Sequence, residues 1–152
     1  MKFLILNGTN LNMLGIREPA IYGARNFEAL LALIDQSCRD AGIEYEAFQS
    51  NHEGVLVDKI QEAYGQFDGI VINPAAYTHT SVAILDALKA VGIPTAEVHI
   101  SDIRTREAFR QHSYVSLAAV FTIAGHGFDG YREAIFRLKE WIETKNKEEI
   151  PE

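Results

Sequence analysis

Five short apolar runs alternate with stretches of helical period, and this alternation restricts the fold more than any other feature of the chain. The runs are residues 2–6, 43–48, 69–72, 94–99 and 117–124. Residues 2–6 and 69–72 read as strands buried on both faces, and the other three runs read as strands. Between them, apolar residues recur every three or four positions. Phe27, Leu30, Leu31, Ile34 and Cys38 mark a first helix, opened by Asn26 and closed by Gly42. Val55, Leu56, Ile60 and Tyr64 mark a second. Val82, Leu85, Ala87 and Leu88 mark a third, with Ser81 as its cap and Gly92 at its end. A last helix spans residues 131–144, with Ile135, Leu138 and Ile142 facing inward.

Strands that alternate with helices form a parallel sheet covered on both faces. Right-handed crossovers leave few topologies, of which the flavodoxin-like strand order 2-1-3-4-5 is the simplest. The expected fold is therefore an α/β three-layer sandwich, one domain over residues 1–152, with a charged tail at 145–152 that frays. In such a sheet all strands end at one edge, and ligands bind there. The loops assigned to that edge are residues 8–25, 73–81, 100–114 and 125–130, and they hold nearly all the unusual polar residues.

Charge and composition exclude several functions. The net charge of −7 argues against a phosphate-backbone binder, so no nucleic-acid partner is expected. Cys38 is the single cysteine, which rules out an intrachain disulfide and suits a reducing, cytoplasmic setting. The apolar start, residues 1–6, is too short for a signal-peptide core or a membrane span. Cysteine-based metal sites and H-E-x-x-H spacing are missing, so no metal is expected. Gly125, Gly127 and Gly130 match a dinucleotide fingerprint in spacing alone, but no second βαβ half follows; a tight turn opening a helix explains them. His52, His112 and His126 are read as structural.

Three places carry possible chemistry. Residues 73–81 (NPAAYTHTS) put Asn73, Tyr77 and His79 on one strand-to-helix loop, and the cap Ser81 accounts for only one of their polar groups. The first loop offers Asn10, Arg17 and Tyr22. A tyrosine base at neutral pH needs its ordinary value near 10 lowered by about three units, roughly 4 kcal/mol, and a partly desolvated guanidinium supplies much of that. The competing reading makes Tyr22 a lid aromatic and Arg17 a surface charge. On the fourth strand, Glu97 and His99 share a face, with His99 at the C-terminal end. The amides of Ile100 and Ser101 leave the sheet there, and Arg104, Arg106 and Arg110 follow. Localised positive charge in an acidic protein suggests a small anionic substrate. A buried structural histidine and a solvated arginine face are the alternatives.

These segments resemble a known family. Residues 7–11 (NGTNL), 14–23 (LGIREPAIYG), 49–54 (QSNHEG), 73–81, 97–101 (EVHIS) and 109–114 (FRQHSY) are similar to type II 3-dehydroquinate dehydratase, and the likeness runs from Leu4 to about Trp141. The resemblance implies a flavodoxin-like fold and a lyase that converts 3-dehydroquinate to 3-dehydroshikimate through an enolate, without cofactor or metal. That reaction serves the shikimate pathway of aromatic amino acid biosynthesis or quinate catabolism. By the same resemblance, Tyr22 matches the base, Arg17 the residue that favours its phenolate, and Asn10 the enolate stabiliser. His99 matches the acid and Glu97 its orienting partner. Asn73, His79 and Arg110 match groups that hold substrate hydroxyls, and the Ile100 and Ser101 amides match those that hold the carboxylate. Asp86 matches a residue that reaches a neighbouring subunit in a homododecamer built from trimers. Three positions depart from the family's pattern: Thr9 replaces a usual proline, Leu85 a common arginine and Asp102 a usual asparagine.

A non-catalytic flavodoxin-like module is the other class of function considered. Its flavin-binding form needs a Ser/Thr-rich phosphate loop after the first strand, which NGTN does not resemble. Its phosphoacceptor form needs an acidic cluster at the strand end where Asn7 stands.

Overall fold

The structure is a computed structural model and describes residues 1–16 and 25–150. Five strands form one parallel sheet: β1 Lys2–Asn7, β2 Glu44–Gln49, β3 Gly69–Asn73, β4 Thr95–His99 and β5 Phe121–Ala124. Their order is β2-β1-β3-β4-β5, as the alternation predicts. The strand at each edge, β2 and β5, is partly exposed, whereas β3 and β4 are buried along their whole length.

Side chains alternate between the faces of a strand, and this divides the core into two layers. Phe3, Ile5, Val71 and Val98 face helices α1 (Phe27–Ala41) and α4 (Asp129–Glu148), packing with Leu30, Ile34, Cys38, Ile135 and Leu138. Leu4, Leu6, Ile70 and Ile72 face α2 (Glu53–Glu62) and α3 (Val82–Val91), packing with Leu56, Ile60, Ile84 and Leu88. Cys38 is core packing, and burial pushes its thiol up to about 11. The Asn26 side chain caps α1 by accepting from Ala29 N at 2.9 Å, and Ser81 caps α3 by accepting from Ile84 N at 2.9 Å.

Several expected boundaries shift. The fifth strand begins at Phe121 rather than at residue 117; Val115–Leu117 forms a 3₁₀ turn closed by Leu117 N to Tyr114 O and Ala118 N to Val115 O. An apolar run therefore misled the reading, because Leu117 points outward while the turn directs serines inward. On α2, Leu56 and Ile60 are buried, but Val55 and Tyr64 are exposed, and Tyr64 lies beyond the helix end. Val82 at the start of α3 is exposed too. Residues 101–114 hold two short 3₁₀ turns, Ile103–Thr105 and Ala108–Arg110. Helix α4 runs four residues past the expected end at Thr144, because Lys and Glu suit a helix and Lys145 pairs with Glu148 one turn on.

Candidate active site

The C-terminal ends of the strands present a row of polar residues. Gln49, Asn7 and Asn73 lie side by side in register on β2, β1 and β3. The loops beyond them interlock. Gly8 N donates to Asn73 O at 2.8 Å, and a Cβ on Gly8 would lie 2.2 Å from Pro74 O, so only glycine lets these two loops touch. Asn10 adopts a left-handed φ of 66°, and its amide donates to Asn51 Oδ1 at 2.8 Å. Tyr77 OH donates to Asn51 O at 2.6 Å. The loop after β2 therefore belongs to the functional edge, and Asn51 ties it to both neighbours.

Between these loops and residues 100–110 lies a cleft of about 530 Å³, open solvent at its mouth included. Thr9 and Asn10 line it on one side, Asn73 and His79 on a second, and Ile100, Ser101, Arg106 and Arg110 on a third. Six of the expected site residues thus converge on one cavity: Asn10, Asn73, His79, Ile100, Ser101 and Arg110. Arg104 does not join them. It is exposed and grips Asp102 through Nε and Nη2, both at 2.9 Å. That contact holds the Asp102 carboxyl below the ordinary aspartate value.

Behind the cleft is a buried dyad. Glu97 is fully buried, and His99 Nε2 lies 2.7 Å from its Oε2. A buried carboxylate demands partners, and two hydroxyls from the 113–116 segment supply them. Ser113 Oγ donates to Glu97 at 2.8 Å and Ser116 Oγ at 3.0 Å. Thr78, 2.6 Å from Ser113 Oγ, extends the network toward the 73–81 loop. His99 does not line the cleft wall itself; it sits below Ile100 and Ser101.

The cleft histidine has a different environment. His79 Nδ1 donates to the His112 carbonyl at 2.7 Å, which leaves Nε2 as an acceptor. Burial lowers its pKa, and the charges of His99, Arg110 and Arg106 lower it further against the opposing pull of that carbonyl. His79 is thus a neutral imidazole at pH 7. Arg110 pairs with Glu107, Nε to Oε2 at 2.9 Å, although the N–H is not aligned on the carboxylate. Arg106 Nη1 lies 3.4 Å from Ser101 Oγ.

Comparison with known proteins fits this arrangement. A family model described as dehydroquinase class II matches residues 1–139. The chain belongs to that family. Among its relatives is the 3-dehydroquinate dehydratase of Corynebacterium glutamicum (strain R), 58% identical over 134 residues that cover 88% of this chain and 92% of the relative. The catabolic 3-dehydroquinase of Aspergillus clavatus is 54% identical and covers 88% and 89% respectively. Among solved structures, the type II dehydroquinase of Butyrivibrio crossotus DSM 2876 superposes with a TM-score of 0.90 at 52% identity, covering 91% of this chain and 97% of that one.

In this class II dehydroquinase, the expected site residues that the structure describes fall into three groups. Asn10, Asn73, His79, Ile100, Ser101 and Arg110 meet at the cleft; Glu97 and His99 form the dyad beneath it. Asp86 is exposed on α3 and does not line its own chain's cleft. Arg17 and Tyr22 lie outside the described residues. Sequence reasoning missed Asn51, Ser113 and Ser116, although the first two lie inside quoted motifs (QSNHEG and FRQHSY). It noted Arg106 only as nearby charge, whereas the side chain lines the cleft.

Proposed function

We propose that this chain dehydrates 3-dehydroquinate to 3-dehydroshikimate as a type II 3-dehydroquinate dehydratase, within one catalytic domain and without metal or organic cofactor. The observation that carries the reading is the hydroxyl-braced Glu97–His99 pair directly behind an arginine-lined cleft, in a chain 58% identical to a protein of that name.

The reaction begins when the Tyr22 phenolate, favoured by Arg17, removes the proton on the carbon alpha to the ketone. The electrons move into an enolate, which Asn10 stabilises through a bridging water. When the carbonyl reforms, a carbon–carbon double bond forms and the β-hydroxyl leaves from the opposite side. His99 gives that hydroxyl a proton, so it departs as water. Nε2 is engaged by Glu97, which leaves Nδ1 as the ring nitrogen available to the leaving group. Glu97 fixes the ring and balances the imidazolium. Asn73, neutral His79 and Arg110 hold substrate hydroxyls, and the Ile100 and Ser101 amides hold the carboxylate.

Asp86 stands exposed on α3, which suits a group that completes a neighbouring subunit's cleft in a dodecamer of trimers. No helix among the described residues is long and apolar enough to cross a membrane. Together with the single buried cysteine, this suits cytoplasmic work.

The direct test mixes the protein with 3-dehydroquinate and follows the ultraviolet absorbance of the conjugated enone. Folded protein that gives no rise in absorbance overturns the assignment. Tyr22→Phe is expected to lower kcat by at least about 10²-fold while KM stays within about threefold, in the range for loss of a general base. An unchanged kcat removes Tyr22 from the role of base.

A further inference from the structure

The C-terminal helix α4 brings one buried polar group to the sheet edge that the chemistry above leaves unused. Tyr131 is fully buried, and its hydroxyl stands between the ends of β1 and β3. It donates to Asn7 Oδ1 at 2.7 Å and accepts from Asn73 Nδ2 at 2.9 Å. Burial pushes the phenol far above its ordinary value, and the bond from Asn73 offsets this only in part, so the group acts as a neutral hydroxyl.

A phenol has one proton to donate. Here that proton goes to Asn7, so toward Asn73 the oxygen can only accept. This fixes the polarity of the Asn73 carboxamide: Nδ2 must face Tyr131, and Oδ1 must face the other way. The far end agrees, because Oδ1 accepts from Ala75 N at 3.0 Å. Ala75 is held at a φ of 55°, in the left-handed region a non-glycine residue rarely occupies, and it lines the cleft beside Asn73. The order Asn7–Tyr131–Asn73 persists even though it leaves Asn7 Nδ2 buried without a hydrogen-bond partner among the described residues. Each end of the Asn73 carboxamide then has one capacity left, a single N–H and a single lone pair.

We propose that Tyr131 is a positioning residue for substrate binding: through its hydroxyl it sets which end of the Asn73 carboxamide meets a substrate hydroxyl, and it holds the Ala75 turn in place. The inference rests on the dehydratase reading of the cleft. Tyr131→Phe keeps the ring and removes only the hydroxyl. In the full chain, KM for 3-dehydroquinate is expected to rise about tenfold, the value of one well-oriented hydrogen bond, while kcat stays within about threefold. In an Asn73→Ala background the same change is expected to move KM less than about twofold, because no carboxamide remains to orient.

A tenfold rise in both backgrounds, or an unchanged KM in the first, overturns the proposal. A wild-type chain that does not dehydrate 3-dehydroquinate overturns the underlying reading instead, and the inference falls with it. If Tyr131→Phe fails to fold, Asn7→Ala serves. It removes the acceptor of the Tyr131 proton, so the hydroxyl no longer only accepts from Asn73 and the carboxamide is oriented by Ala75 N alone, and KM rises about threefold in the wild-type background and not in Asn73→Ala. An unchanged KM in Asn7→Ala also overturns the proposal.

Discussion

The floor and the wall of the cleft are built on opposite principles. The floor is the buried Glu97–His99 dyad that lies behind the lining residues, held by the hydroxyls of Ser113, Ser116 and, one step back, Thr78. The wall at residues 101–110 carries two part-exposed arginines, Arg106 between the two short 3₁₀ turns and Arg110 on the second, and Arg110 pairs with the exposed carboxylate of Glu107. In a low-dielectric interior a hydrogen bond fixes orientation strongly, and an unpaired charge is costly. Proton transfer needs that fixed geometry. Attracting and gripping an anion needs charge near solvent, where the side chain can adjust. The contrast predicts that the floor governs turnover and the wall governs binding.

Changing the floor should have the largest effect. Glu97→Gln keeps the shape but removes the charge that balances an imidazolium, so kcat is expected to fall about 10²–10³-fold with KM little changed. Steady-state kinetics on 3-dehydroquinate checks this, and a loss confined to KM would erase the distinction between floor and wall. Next in size is Arg110→Ala. Losing one charge-assisted hydrogen bond should raise KM about 10–100-fold, with a smaller effect on kcat. If Arg110→Ala costs more turnover than Glu97→Gln, the comparison is reversed.

The smallest effect sharpens the boundary between the two regions, where His79 stands. Its pKa is lowered chiefly by burial. The neutral form therefore contributes stability that is fully present above the unfolded value of about 6.5 and is lost as pH falls through the folded value. Denaturant midpoints from pH 7.5 down to 5 should drop less in His79→Gln than in the parent chain. Equal slopes would mean that the imidazole gains nothing from staying neutral.

Much of this layout was legible in the residues. The strand order follows from the alternation of periods, and the Glu97–His99 pair follows from a two-residue spacing on a strand that ends at the functional edge. The Ser81 cap was equally local. The missing part was the support. Ser113 and Ser116 look like ordinary loop serines, and residues 117–120 look like more strand, yet the chain makes a 3₁₀ turn at Val115–Leu117 and both hydroxyls reach Glu97. Asn51 sat in a loop that was left off the edge.

The layers, the parallel edge and the pairs of groups that lie a turn or a pleat apart can be read from the residues, because side-chain direction repeats every 3.6 or 2 residues. Packing in three dimensions brings Tyr131 to Asn7 across 124 positions and to Asn73 across 58, and sets two hydroxyls, of Ser113 and Ser116, at the Glu97 carboxylate with Thr78 behind Ser113. Such contacts have no period to read. They follow from where loops close, and loop closure is set by the packing of the whole sheet and its helices.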